Sequence, residues 1–413
     1  MANNTSSSLL SRISQGTKWY FGEVKKGFKF KYYWLYTFLL IGMAICIALG
    51  LANAVQRSTI LLFEQIGYTM IAVVSLSLVV GFLGELSLGH AAFMSIGAML
   101  GTFFQNAIFP GLSASSPFVA LFLSMIIGGL VAGLFGFIIG LPALRLKGDY
   151  LAIVTLAFGE IVKVIFINIP AFGGAIGLAN DYRYDKGSLF IIIFVIAFLT
   201  VVLCNNIIKS KHGRQIMAIR DNEIAARACG VNVSFYKVLI FTISAVLAGV
   251  AGVLYGASSN QVDPKIFNYN YSINNILIMV IIGGMGNLNG SVIAAIVVTY
   301  LDIKLQTVIT GDLAALKNII YAAILIAIIM YRNIPSLAGF REKYNLNVLA
   351  MKIKKFWSTK VLKKEFVVDP GEKKEYPGEW SKIPTKIDMD AVLSDNFSNK
   401  EEDNPDNRKG EIK

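Results

Sequence analysis

Charged residues are scarce in this sequence. Asp, Glu, Lys and Arg make up 15% of its 413 residues, whereas soluble domains average about 25%. Hydrophobic residues reach 55%, and the mean hydropathy is +0.60. This composition excludes an ordinary soluble globular protein and predicts an integral membrane protein.

Cysteine and histidine are also rare, with three and two residues. Cys46, Cys204 and Cys229 are too few and too scattered for a disulfide framework or a CxxC metal site, so we interpret them as inert and predict no metal. The sequence contains neither a G-x-x-x-x-G-K-[ST] phosphate loop nor an H-E-x-x-H motif. We therefore expect neither an ATP site nor a zinc hydrolase centre in this chain.

The net charge of +12 is unevenly distributed. Residues 1–34 carry six basic side chains and one acidic one, and they precede a long apolar body. Basic flanks of this kind are typical of the cytoplasm-facing ends of a membrane protein. We therefore expect a membrane partner and no nucleic-acid partner.

Apolar stretches long enough to cross a hydrocarbon core of about 30 Å recur along the chain. The stretch at 273–301 exceeds one span and is interrupted by glycine and asparagine, so we expect two short, broken segments that meet inside the protein. The sequence thus predicts an all-α polytopic membrane helix bundle with about ten crossings. The other stretches lie at 35–55, 65–83, 89–109, 117–141, 150–169, 188–208, 237–256 and 313–331.

The distribution of Lys and Arg predicts the topology, because these residues accumulate in cytoplasmic loops. With the N-terminus inside, the basic loop 209–237 is cytoplasmic, and both termini are cytoplasmic. The apolar run that begins at Leu35 is too long for a signal peptide, so we expect an uncleaved span. We divide the chain into a basic segment at 1–34, a transmembrane domain at 35–331 and a cytoplasmic tail at 332–413. The tail lacks apolar periodicity, and we expect it to be disordered.

Small residues recur at helical spacing in two of the predicted spans. Lipid tails compete equally for apolar side chains, so membrane helices associate where small residues let their backbones approach. We predict that these residues line helix contacts, an interpretation we favour over a substrate role. The first span contributes Gly129, Gly133, Gly136 and Gly140; the second contributes Ala245, Gly249, Gly252 and Gly256.

A short internal echo relates two glycine-interrupted segments. Gly81-x-x-Gly84 is followed by Glu-Leu, and Gly283-x-x-Gly286 is followed by Asn-Leu. Paired interrupted segments in two halves of a chain are typical of transporters built from structural repeats, with the transport path between them. We treat the repeat as a hypothesis.

Polar residues inside the predicted spans are candidates for a translocation path or gate. Glu160 and Lys163 lie three residues apart on one helical face, so they either neutralise each other or line the path. Glu85 and His90 flank the first glycine break, where His90 either forms structural hydrogen bonds or contacts the solute. The full candidate set is Glu85, His90, Glu160, Lys163, Asn287 and Asn289.

The loop 209–237 contains a predicted surface helix. We expect the helix to begin near Asp221, whose carboxylate would cap its first turn, and to end at Gly230. Its small apolar face has charged residues beside it, which suits docking in a groove of another protein. That face consists of Ile224, Ala225, Ala228 and Cys229.

The sequence resembles the LivM-type permease subunits of ABC importers for branched-chain amino acids. Four blocks carry the resemblance: GELSLGHAAFMSIGA at 84–98, GLPALRLKGDYLAIVTLAFGEI at 140–161, GRQIMAIRDNEIAARACGVNVSFYK at 213–237 and LIMVIIGGMGNLNG at 277–290. These permeases commonly carry Gln where this chain has Glu85. The tail beyond about residue 341 lies outside the resemblance.

The resemblance implies a role in a multi-subunit importer. The chain would pair with a second, LivH-like permease, with two LivG/LivF-like ATP-binding subunits that hold ATP and Mg, and with an extracytoplasmic binding protein. It would lie in the bacterial plasma membrane, move leucine, isoleucine or valine, and be no enzyme by itself. The residues that would engage the ATPase are Arg214, Arg220, Asp221, Glu223, Ala225, Arg227 and Gly230.

Other functions stay open at this point. Within the same family, urea, short amides and other amino acids are alternative solutes. An ion-coupled secondary carrier would equally lack a phosphate loop. A membrane enzyme of lipid metabolism would need His, Asp or Glu clustered at the interface, and this sequence offers only scattered ones.

Overall fold

The computed structural model describes residues 57–108, 110–146, 148–181, 184 and 186–308, together with 323 and 326. This part of the chain is built almost entirely from helices. The principal ones are α1 (Arg57–Leu83), α2 (His90–Ile108), α3 (Pro117–Ala143), α4 (Asp149–Asn168), α5 (Lys186–Lys209), α6 (Lys211–Asp221), α7 (Glu223–Ala228), α8 (Val233–Ser258), α9 (Tyr269–Gly283) and α10 (Leu288–Val308).

Seven of the described helices are long and apolar enough to cross a membrane, namely α1 to α5, α8 and α10. The prediction of an all-α polytopic membrane bundle is therefore confirmed. The span expected at 35–55 lies outside the described residues, as does the one at 313–331 apart from positions 323 and 326. The predicted segments 1–34 and 332–413 lie outside them too, so the number of crossings and the side of each terminus stay predictions.

The stretch at 273–301 is broken, but into unequal parts. α9 is shorter than a span, whereas α10 has 21 residues and is long enough to cross alone, so the prediction of two short segments is wrong for the second part. Gly284 and Gly286, with φ of 99° and 81°, end α9. The Asn287 side chain then accepts a hydrogen bond from the Gly290 N–H at 3.2 Å and starts a new helix in apolar sequence.

Close packing of small residues holds α8 against α3 and α2. A Cβ atom added to Gly249 would meet Ala132 and the Gly128 carbonyl oxygen of α3, and one added to Gly252 would collide with the Met94 carbonyl of α2. Backbones approach this closely only where side chains are absent. The α3 glycines lie on the same contact with α8: Gly129 beside Val250, Gly133 beside Val246, Gly136 beside Ala245 and Gly140 beside Phe241.

α1 is buried along its membrane-spanning length and ends in a π-helical turn, Leu78–Leu83. Gly84 closes this turn with φ of 82°, a conformation that a residue without a Cβ adopts at little cost. The chain then runs without helix until α2 starts at His90. A second break therefore lies between α1 and α2, besides the one between α9 and α10.

Two short strands tie together the loops that follow α4 and α8. Leu178–Ala179 (β1) pairs antiparallel with Gln261–Val262 (β2). The Asn180 side chain adds a hydrogen bond to the Gly256 carbonyl oxygen at 3.0 Å. This end of the bundle is opposite to the breaks at Gly84 and Gly286, as the directions of α1 and α8 require.

Candidate functional site

The loop 209–237 folds as two helices, α6 and α7, joined at Asn222. Asn222 has extended backbone angles, and its side-chain oxygen accepts hydrogen bonds from the Ile224 and Ala225 N–H groups, both at 3.0 Å. The cap of the surface helix is therefore Asn222, and the prediction that Asp221 caps it is wrong. Asp221 is the last residue of α6, and its carboxylate accepts hydrogen bonds from Arg220 at 2.9 and 3.0 Å.

α7 presents an apolar surface to its surroundings. Ile224, the large apolar side chain of this helix, is 80% exposed. Ala225, Ala228 and Cys229 are exposed as well, whereas Ala226 on the opposite side is buried against the core. We call Ile224, Ala225, Ala228 and Cys229 the α7 face. Gly230, with φ of 82°, ends this segment as the sequence predicts.

Arg220 reaches from the end of α6 to the point where the two helix breaks meet. Its Nη1 donates to the Gly81 carbonyl oxygen at 3.3 Å. A Cβ atom added to Gly84 would lie 2.7 Å from the Arg220 side chain, and one added to Gly286 would lie 2.9 Å from its Nη1. A Cβ on Gly81 would itself lie 2.9 Å from the Gly286 N. One arginine of the loop therefore contacts both breaks.

A buried charge cluster makes a second link between loop and bundle. Lys237, near the start of α8, places its Nζ 2.5 Å from Glu85 Oε1 and 3.2 Å from Glu223 Oε2. Its side chain is 5% exposed, that of Glu85 14% and that of Glu223 23%. Arg227, which is largely exposed, pairs with the other oxygen of Glu223 at 2.7 Å. We call Glu85, Lys237, Glu223 and Arg227 the loop cluster.

The loop cluster balances the negative charge of Glu85. Glu85 follows the break at Gly84, and an unpaired carboxylate there would be costly. Lys237 neutralises it with a nearby ammonium group. Glu223 points inward to the same lysine and does not belong to the exposed α7 face. Arg214, another residue expected to touch the ATPase, is exposed on α6.

His90 is fully buried at the start of α2. Its Nε2 lies 2.9 Å from the Ser244 hydroxyl, which donates to the Ser75 carbonyl oxygen at 2.5 Å. Because the Ser244 proton is used on Ser75, the Ser244 oxygen accepts from an Nε2–H group of His90. This network joins α1, α2 and α8. It gives His90 a structural hydrogen bond, and contact with the solute stays a prediction.

Glu160 and Lys163 form an ion pair on α4. The second carboxylate oxygen of Glu160 accepts from the Tyr269 N–H at 3.3 Å, where α9 begins. In the second break, Asn287 caps α10, and Asn289 is half-buried two residues further on. The structure thus brings Glu85 and Asn287 to the end of the bundle that contacts the loop. Glu160 lies elsewhere, beside the start of α9.

The Glu160–Lys163 pair predicts the outcome of a double-mutant cycle. Lys163→Met alone should lower stability by about 1–3 kcal/mol, because it leaves a carboxylate unpaired inside a span. The double variant with Glu160→Gln should recover most of that loss. Unfolding midpoints of the purified protein measure both. Equal losses in the single and double variants would contradict the assignment of a mutually neutralising pair.

Sequence reasoning missed three residues that make defined contacts in the structure. Glu64 falls just before the expected span at 65–83, yet it is buried inside α1, which starts at Arg57. Lys237 and Asn222 were read as ordinary loop residues. Extending the apolar helical pattern of α1 toward the N-terminus would have included Glu64 in the span. The Lys237–Glu85 contact joins residues 152 apart, so no local sequence pattern predicts it.

The described residues contain no group of three or more His, Cys, Asp or Glu side chains that could hold a metal ion. Cys204 is buried and Cys229 is exposed, both as free thiols, and Cys46 lies outside the described residues. What stands out chemically is the loop, with its exposed apolar face and its two polar links to broken membrane helices.

A bundle of apolar helices with two glycine-interrupted breaks is typical of integral membrane transport proteins. Residues 58–329 match the family described as branched-chain amino acid transport system / permease component. The chain belongs to this family. No solved structure matches the chain.

Three relatives are named as permease proteins of branched-chain amino acid transport. The high-affinity branched-chain amino acid transport system permease protein LivM of Escherichia coli (strain K12) is 32% identical over 290 residues, covering 62% of this chain and 66% of the relative. LivM of Salmonella typhimurium gives the same values. A probable LivM of Methanocaldococcus jannaschii is 29% identical over 219 residues, covering 49% and 62%. The chain thus spans just under two thirds of the length of these relatives.

Proposed function

We propose that this chain is the membrane permease subunit of an ATP-driven importer that translocates leucine, isoleucine or valine. The observation that carries the proposal is the α7 face, which is exposed and apolar, on a loop that is bound to both helix breaks of a permease-family bundle. The names of the LivM relatives support the solute class.

The remaining components follow from this proposal. A second, similar permease completes the membrane unit, and two ATP-binding subunits hold ATP and Mg. An extracytoplasmic binding protein delivers the solute across the outer face of a bacterial plasma membrane. In this arrangement loop 209–237 lies in the cytoplasm, and the α7 face inserts into a groove of an ATPase subunit.

The contacts of the loop suggest how ATPase movement reaches the membrane helices. A displacement of α7 acts on Arg220 and Lys237, since both side chains bridge the loop to the rest of the bundle. Those side chains in turn hold the Gly81–Glu85 and Gly284–Asn287 regions. Breaks without continuous helical hydrogen bonds absorb rigid-body motion at low cost, so the two breaks are the expected hinges of alternating access.

Reconstitution tests the proposed function. Proteoliposomes with both permeases, both ATPases and the loaded binding protein should accumulate leucine only in the presence of ATP. Proteoliposomes with this chain alone should accumulate none under a proton or sodium gradient. Uptake by the chain alone would replace the proposal with an ion-coupled carrier, and ATP-driven uptake of urea or an amide in place of leucine would correct the solute.

Blocking the α7 face should uncouple the transporter. Ala225→Trp places a large side chain on the surface that is proposed to enter the ATPase groove, so we expect loss of the ATPase on purification, or ATP hydrolysis without uptake. Ala175→Trp is the matched control, because Ala175 is also exposed but lies at the opposite end of the bundle, between α4 and β1. Wild-type ATPase retention and uptake in Ala225→Trp would contradict the docking assignment.

A further inference from the structure

Glu64 is a buried acid that the coupling mechanism does not use. Its side chain lies within α1 and is 3% exposed. Within the described part of the chain its one hydrogen bond comes from the Ser258 hydroxyl, at 2.7 Å from Glu64 Oε2. Arg57, two turns earlier on α1, contributes only a longer-range attraction. A carboxylate can accept about four hydrogen bonds, so Glu64 has unused capacity for a cation.

The position of Glu64 along α1 places it far from the loop. From Glu64 to the end of α1 at Leu83 the helix rises by about 28 Å, nearly a full hydrocarbon thickness. Since the end at Leu83 contacts loop 209–237, Glu64 lies in the extracytoplasmic half in the proposed orientation. That is the half that a delivered solute enters first.

Aromatic rings from α1, α8, α9 and the turn before α9 lie in the same region. Tyr68 is one helical turn from Glu64, and its ring centroid lies 5.4 Å from that of Tyr255 in an edge-to-face contact. Tyr255 contacts Phe267 at 5.1 Å, and Phe267 contacts Tyr271 at 5.6 Å. Tyr255 also precedes Ser258 by three residues on α8. Glu64 and Tyr68 of α1 therefore lie beside Ser258 and Tyr255 of α8.

Two further features of α9 distinguish this region from simple packing. Ser272, next to Tyr271, is 1% exposed, and its hydroxyl has no hydrogen-bond partner among the residues that the structure describes. The helix immediately after it is a π-helical turn, Ile273–Leu277. Such turns occur frequently at functional sites, because they widen the helix and loosen its packing.

We propose that Glu64, with the tyrosine rings beside it, binds the ammonium group of the transported amino acid. A carboxylate supplies the opposite charge and hydrogen-bond acceptors, and aromatic faces add cation–π attraction. The ammonium group donates to the acceptor positions of Glu64 that the Ser258 hydroxyl leaves free. This inference rests on the proposed function and assigns the site that binds the ammonium group of the solute.

The test uses the complete transporter in proteoliposomes with loaded binding protein. Glu64→Gln keeps the shape of the side chain and removes its charge, so leucine uptake should fall at least tenfold while ATPase retention and basal ATP hydrolysis stay at wild-type levels. Ser258→Ala removes the hydrogen bond but keeps the carboxylate, so uptake should stay within about twofold of wild type. A purely structural role would instead make both variants similarly defective.

A binding measurement separates recognition from turnover. Leucine at millimolar concentration, without the binding protein, should raise the Tm of the wild-type and Ser258→Ala transporters but not that of Glu64→Gln. The 2-hydroxy acid analogue of leucine, which lacks the ammonium group, should raise none. If Glu64→Gln does not assemble, Tyr255→Leu tests the site in its place, because it removes a ring and keeps the carboxylate. Leucine uptake by Tyr255→Leu should fall at least threefold.

Three results would overturn the site. They are wild-type uptake by Glu64→Gln, equal damage in Ser258→Ala and Glu64→Gln, or, where Tyr255→Leu decides, unchanged uptake by that variant. A wild-type transporter that moves no leucine at all would instead defeat the proposed function, and the site with it. The wild-type control thus distinguishes the two failures.

Discussion

Lys237→Met should destabilise the protein by about 3–5 kcal/mol, since it leaves the mostly buried carboxylate of Glu85 without its ammonium partner. Two carboxylates that share one lysine would repel each other without it. The free energy of unfolding, or the yield of assembled transporter where unfolding is irreversible, measures the loss. The uptake per ATP hydrolysed should also fall, because the loop loses one of its two links to the bundle.

Two further variants make this expectation specific. Lys237→Met combined with Glu85→Gln should recover more than half of the lost stability, because the neutral Gln side chain needs no ammonium partner. Arg227→Met removes the exposed partner of the same Glu223 and should cost about 1 kcal/mol or less. If Lys237→Met lowers the free energy of unfolding no more than Arg227→Met does, the buried charges of the loop cluster do not contribute to stability.

Gly97→Ala should be among the most damaging single-methyl additions in the chain. The new Cβ would collide with the Gly249 carbonyl oxygen, so α2 and α8 would have to separate at the centre of the bundle. Overpacking of this kind costs about 1–3 kcal/mol or more where the obstacle is backbone. The unfolding midpoint and the yield of folded protein in the membrane should both fall.

Gly159→Ala is the matched control for this substitution. Gly159 is also a helical glycine inside a span, but an added Cβ there would have its nearest neighbour at 3.9 Å, an ordinary contact. Ala has a higher helix propensity than Gly, so stability should be unchanged or rise by up to about 1 kcal/mol. Equal stability of the two alanine variants would show that α2 and α8 are not held by backbone contact.

Much of the fold could be predicted because it depends on short-range regularities. A helix repeats every 3.6 residues, so hydropathy alone located the spans at α1 to α5 and α8, and the spacing of Gly129 to Gly140 indicated one common face. Spacing also put Glu160 beside Lys163. The cap of α7 was missed by one residue, because Asp221 and Asn222 are both good caps and only backbone geometry selects between them.

The functional contacts depend on which helices are neighbours, and hydropathy carries no information about that. Lipid tails surround every apolar helix alike, so the order of helices is decided by packing and by polar pairs formed late in assembly. Glu64 and Ser258 are 194 residues apart, and Arg220 and Gly81 are 139 apart. The sequence by itself determined a helical membrane bundle with two glycine breaks and a loop helix with a small apolar face. Only the tertiary structure decided that the loop contacts both breaks and that Glu64 is buried toward the opposite end of α1. Those contacts form only when helices that are distant in sequence pack together.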